Sequence, residues 1–220
     1  VLSHEGLLAA SDWAAPLLNL SSEMNFEPQI VCYLRRQDIW LESAWKQWGA
    51  KHEAFPTLHD YMQVAMPRLN WMEQLRPWLD TFGRDRMTVR RFEQREISLN
   101  VVSDFLQLLG IQDIESVIGS TPLYANRGFT PEVMELITLL KSDRTHDNTL
   151  LELFDQALDE RYKKQDPFAA YGLLTSADRQ FIFDECEASN QEVSRMFFDG
   201  EWPLFERAGD DESFISNDEE

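Results

Sequence analysis

Cysteine is scarce in this 220-residue chain: Cys32 and Cys186 stand in separate apolar surroundings with no short spacing between them. Such a pair argues against a disulfide framework or a zinc site, and the expectation is a protein of the reducing cytoplasm. Long apolar runs are lacking too. No stretch nears the roughly 18 residues that read as a membrane span. The early segment from Gly6 to Leu20 is broken by Asp12 and Pro16 and lacks the basic leader of a secretory signal. Basic residues are few: 20 Lys and Arg face 39 Asp and Glu, a formal net charge of −19. That balance argues against binding to a nucleic-acid polymer, whose affinity comes largely from neutralised phosphates. The imbalance is uneven, with a net charge of −3 up to Gly110 and −16 after it.

What is present is a repeated strand-then-helix order. Ile30-Val31-Cys32-Tyr33-Leu34 is a short continuous apolar run that suits a strand buried on both faces of a parallel sheet. It stops at Arg35-Arg36. Trp40, Leu41, Ala44, Trp45 and Trp48 then recur at helical spacing, with Asp38 as an N-cap or first-turn acid. A second strand is expected at Met87-Thr88-Val89-Arg90-Arg91-Phe92, after the turn-prone Phe82-Gly83-Arg84-Asp85. The helix that follows spans about Leu99 to Leu109 and closes at Gly110. Parallel strands joined through helices predict an α/β sheet, whose ligands gather beyond the carboxyl ends of the strands.

From Thr130 the pattern is helical. Thr130-Pro131-Glu132 supplies a cap, a proline at the first helical position and an early acid, ahead of an apolar face of Val133, Leu136, Ile137 and Leu140. Leu150, Leu151, Phe154, Ala157 and Leu158 make another face. Thr175-Ser176-Ala177-Asp178 resembles a capping box opening a last helix that runs to about Phe197 and ends at Gly200. The tail at 209–220 is acidic, poor in apolar residues and expected to be disordered.

The segment after the first strand carries the chemistry. Arg35 ends the strand and Ser43 follows eight residues later in the helix that folds back along the sheet. A guanidinium and a hydroxyl so placed can converge on one phosphate; the plainer alternative makes Arg35 and Arg36 a solvated turn and Ser43 a neutral helix residue. Arg84, Arg86, Arg90, Arg91 and Arg95 form a local basic run, read either as an attraction for a polyanionic ligand or as a solvated strand edge. Trp40, Trp45, Trp48, Trp71 and Trp78 crowd one region, as flat faces for a sugar or, better, as core.

The stretch from Tyr33-Leu34-Arg35-Arg36-Gln37-Asp38 through Leu41-Glu42-Ser43-Ala44-Trp45 resembles the 3′-phosphate-binding segment of sulfotransferases, particularly bacterial members acting on carbohydrates or lipids. In order along the chain, Val1-Leu2-Ser3-His4-Glu5, Arg91-Phe92-Glu93, Asn126-Arg127-Gly128-Phe129 and Tyr171-Gly172-Leu173-Leu174 also resemble parts of that family, so the likeness extends to about Phe205. It implies an α/β fold with a P-loop-NTPase-like three-layer parallel sheet of the sulfotransferase type, N-terminally truncated, with a predominantly helical C-terminal half. Residues 1–208 would form this domain, with a helical subregion at about 130–205.

The implied donor is 3′-phosphoadenosine 5′-phosphosulfate (PAPS), with no metal. Arg35 and Ser43 would hold its 3′-phosphate and Phe92 would stack near the adenine, although core packing serves Phe92 as well. The base that takes a proton from the acceptor hydroxyl would be Glu5, with His4 the alternative, since neighbours on a strand face opposite ways; otherwise both are surface residues at a strand end. A carbohydrate or glycolipid is the implied acceptor. The family's phosphate loop, with its lysine, has no counterpart, because no Lys precedes Lys46 and Gly6 is the first glycine before Gly49. The expectation is therefore a portion of a longer enzyme, inactive as it stands. The alternatives are a non-catalytic nucleotide- or protein-binding module of the same ancestry and, less favoured, a phosphotransferase.

Overall fold

The structure is a computed structural model that describes residues 8, 10–52, 54–92, 101–113, 131–140, 170–171, 173–206 and 214–215. It is mixed α/β and mostly helical. Helix α1 (Ala14–Glu23) leads to strand β1 (Ile30–Leu34), which is followed by α2 (Gln37–Gln47), α3 (Leu58–Ala65) and α4 (Trp71–Phe82) before strand β2 (Met87–Arg91). Further on come α5 (Val101–Leu108), α6 (Pro131–Leu140), the short strand β3 (Ala170–Tyr171), the long helix α7 (Ser176–Phe197) and the short strand β4 (Phe214–Ile215). Strands β1 and β2 pair in parallel from Ile30↔Met87 to Leu34↔Arg91. Their ladder extends one step further, where the Phe92 amide donates to the Leu34 carbonyl at 2.6 Å.

The expected β1 is present, but it is not buried on both faces: Ile30, Val31, Cys32 and Tyr33 are half-buried and only Leu34 is fully enclosed. Among the described residues β1 has one hydrogen-bonded neighbour, β2. Phe92 lies just past β2 rather than within it. Strand β4 falls inside the tail expected to be disordered and pairs in parallel with β3, Ala170 with Phe214 and Tyr171 with Ile215. The helical face expected at Leu150 to Leu158 lies outside the described residues.

Two apolar clusters form the core. One gathers Leu41 and Trp45 of α2, Tyr61 and Met62 of α3, Met134 and Ile137 of α6, and Ile182 and Cys186 of α7. The other surrounds β1 and β2 with Trp71, Leu75 and Trp78 of α4 and Val193 of α7. Helix α7 therefore serves both clusters, and the half-buried Trp40 packs against each of them. Trp45, Trp71 and Trp78 are buried, in line with the favoured reading of the tryptophan-rich region as core rather than as a sugar platform; of the five, Trp48 alone is exposed. A large ring removed from water at helical spacing stabilises packing without leaving a face for a ligand.

Polar groups fasten these helices at their ends. Thr57 and Thr175 each cap a helix through a reciprocal box with Asp60 and Asp178. The α4 amide of Met72, which has no partner within its own helix, donates to the Ser189 hydroxyl of α7 at 3.1 Å.

Among the described residues no helix is long and apolar enough to cross a membrane. No group of three or more His, Cys, Asp or Glu among them is placed to hold a metal ion.

Candidate functional site

Arg35 sits where the chain leaves β1, with Arg36 alone separating it from α2. Phe92 occupies the matching place after β2. Parallel pairing in register puts the two side by side, and the Arg35 guanidinium lies 5.7 Å from the centre of the Phe92 ring. The Arg35 backbone is anchored as well: its carbonyl accepts the indole N–H of Trp71 at 3.1 Å, and Trp71 meets Trp40 edge to face at 5.9 Å.

Among the described residues the Arg35 side chain donates no hydrogen bond and the Ser43 hydroxyl has no partner. Burial lowers the pKa of Arg35; attraction from Asp38 and Glu42 opposes that shift, and repulsion from Arg36 adds to it. Lys46, one turn beyond Ser43 on α2, is lowered by burial in the same way, against the pull of Glu42, with repulsion from Arg35 and Arg179 adding to the shift. Cationic charge is thus concentrated and partly desolvated at the carboxyl end of the parallel pair, where an anion would interact more strongly than in water.

Behind Arg35 lies a connected set of buried ion pairs. Both carboxylate oxygens of Asp38 accept from Arg36, Nε at 2.8 Å and Nη2 at 3.1 Å, and Asp38 Oδ2 also accepts from Arg179 Nη1 of α7. The second arm of Arg179, Nη2, reaches Glu42 Oε1 at 2.6 Å. The same Glu42 oxygen takes the backbone N–H groups of Leu173 and Leu174 at 2.7 and 2.8 Å. All four charged side chains are buried. One turn of α7 further on, Phe183 lies under the Arg36 guanidinium at 5.9 Å, and beyond it Asn190 accepts from Gln37 at 2.5 Å.

The structure brings together Arg35 and Phe92 and places Ser43 on the helix that follows. His4 and Glu5 lie outside the described residues, as does Arg95. Asp38 is a first-turn acid of α2 rather than its cap, which is Arg36 without a side-chain bond. The rest of the arginine run is occupied structurally. Arg84 donates to the Met196 and Met87 carbonyls, Arg86 meets Glu27, Arg90 faces Asp104 at 3.7 Å, and Arg91 pairs with Glu201 at 2.9 Å. Sequence reasoning missed Trp71 as an anchor of Arg35, and it missed Glu42 and Arg179 altogether. The spacing Asp38-x-x-x-Glu42 on one helix face was the available signal for half of that network.

An uncharacterized protein of Archaeoglobus fulgidus is 37% identical over 84 residues, which are 38% of this chain. The chain spans about a fifth of that curated relative, 22% of its length. No family model matches the chain, and no solved structure does.

Proposed function

We propose that this corner is the 3′-phosphate-binding segment of a PAPS-dependent sulfotransferase with a P-loop-NTPase-like sheet. The observation that carries the reading is the contrast in bonding: the Arg35 guanidinium and the Ser43 hydroxyl have no hydrogen-bond partner among the described residues, while the neighbouring buried charges are tied to one another. A partly desolvated guanidinium at the carboxyl end of a parallel strand, with a hydroxyl on the next helix, suits a phosphate monoester. Arg35 would grip the 3′-phosphate oxygens, Ser43 would donate its hydroxyl proton to them, and Phe92 would border the nucleoside.

Bound PAPS supplies the activated sulfuryl group. For this chain's own part, Glu5, or His4 in its place, would accept the proton of an acceptor hydroxyl on a carbohydrate or glycolipid. The free thiols Cys32 and Cys186 suit the reducing cytoplasm assigned here to the protein.

Calorimetric titration with adenosine 3′,5′-bisphosphate tests the site. Arg35→Ala is expected to weaken binding by about 1.5–3 kcal/mol, the scale of a hydrogen bond to a charged group, and Ser43→Ala by about 0.5–1.5 kcal/mol. Unchanged affinity in both variants rejects the site. A non-catalytic module would share the site and its losses but yield no sulfated product.

A further inference from the structure

The four charges buried behind Arg35 do more than neutralise one another. Asp38 already has both oxygens engaged by Arg36, yet α7 contributes a second arginine whose planar fork spans Asp38 and Glu42. Those carboxylates stand four residues apart, just over one turn or about 6 Å along α2. A rigid fork fastened at two points one turn apart restrains both the rotation of α2 and its slide along its axis. Apolar packing of Ile182 and Cys186 holds α7 in place, but such contacts are less directional than the fork, which the Gln37–Asn190 pair joins between the same two helices.

Rotation is what Ser43 depends on, because each residue turns about 100° around a helix. Slide is what Arg35 depends on, because one residue joins it to α2. We infer that Arg179 is a positioning residue: by bridging Asp38 and Glu42 it holds α2 where Arg35 and Ser43 converge on a 3′-phosphate. This rests on the proposed sulfotransferase reading. Arg179 itself touches no ligand in this scheme. The charged groups around the bridge are Arg35, Arg36 and Lys46 from the β1–α2 side, and Glu42 is further fixed by the Leu173 and Leu174 amides.

The measurement is the ratio of affinities for adenosine 3′,5′-bisphosphate and adenosine 5′-phosphate, which isolates what the 3′-phosphate contributes. Arg179→Lys replaces the fork by a point charge. It is expected to reduce the ratio about tenfold, the lower end of what lost orienting contacts cost at metal sites, with adenosine 5′-phosphate binding unchanged. A folded Arg179→Lys protein that keeps the wild-type ratio, or that weakens both nucleotides equally, overturns the positioning role. Should that variant lose its helical circular dichroism, Glu42→Gln decides by the same criterion, since it removes the charge that holds one arm of the fork while its amide oxygen still accepts from Leu173 and Leu174. A wild-type ratio near one is a different failure: it removes the 3′-phosphate site, and the positioning role with it.

Discussion

At Cys186, burial acts on a group that water would otherwise leave reactive. The thiol is enclosed in the first core cluster, 3% exposed, and burial pushes its pKa from 9.0 up to about 12, with a smaller push from Glu185. Thiolate is the nucleophile, so at pH 8 the folded protein holds far less of the reactive form at this position than a free cysteine does. A chromogenic disulfide reagent is therefore expected to leave Cys186 untouched in the native protein and to titrate it in denaturant; labelling of native Cys186 at the rate of a free cysteine contradicts the packing. The pH dependence has a definite sign. A folded-state pKa raised above the unfolded one gives stability that is complete below pH 9 and declines as pH rises toward 12. Arg35 shows the converse, because burial disfavours a cation by loosening its proton. At the proposed site a bound anion would offset that cost, whereas the thiol simply stays neutral.

Helix α7 shows how a single element can be half legible. Its start is written locally: Thr175 accepts from the Asp178 amide and Asp178 accepts in return from Thr175. Thr175→Ala is expected to cost about 1 kcal/mol, read from urea denaturation. Ser189→Ala, in the same helix, strips the acceptor from the buried Met72 amide and is expected to cost about 1–3 kcal/mol, the penalty of an unsatisfied buried donor. A smaller loss for Ser189→Ala than for Thr175→Ala goes against a bridging role for that serine. The first contact is three residues long and could be read in sequence; the second spans 117 positions and could not. The same division runs through the fold. Strands β1 and β2 and the Arg35–Ser43 segment were visible because apolar runs end in charge there. Helix α1 was obscured by Pro16, which falls in its first turn, where backbone N–H groups lack intrahelical acceptors and proline costs little. Helix α3 went unread although Thr57 and Asp60 repeat the spacing of Thr175 and Asp178. The fork of Arg179 across Asp38 and Glu42 joins parts of the chain 137 to 141 positions apart, beyond the reach of any periodicity.

Across the whole molecule, charge and packing are distributed differently. Packing is shared by two clusters joined through α2 and α7, whereas negative charge is concentrated after Gly110, at −16 of the total −19. An approaching adenosine 3′,5′-bisphosphate carries about four negative charges, two phosphates at about −2 each. Far from the surface it meets the field of the entire protein, which repels it; within a few ångströms, at the proposed site, it would meet Arg35, whose charge is local. Salt separates the two ranges, because the Debye length shrinks from about 30 Å at 0.01 M to about 8 Å at 0.15 M. Raising ionic strength over that interval is therefore expected to speed association, as long-range repulsion is screened, and to change the dissociation rate less, since departure breaks short contacts. Stopped-flow binding at several salt concentrations reads both rates. An association rate that falls with salt would instead place an attractive field around the Arg35 corner, strong enough to outweigh the acidic remainder of the chain.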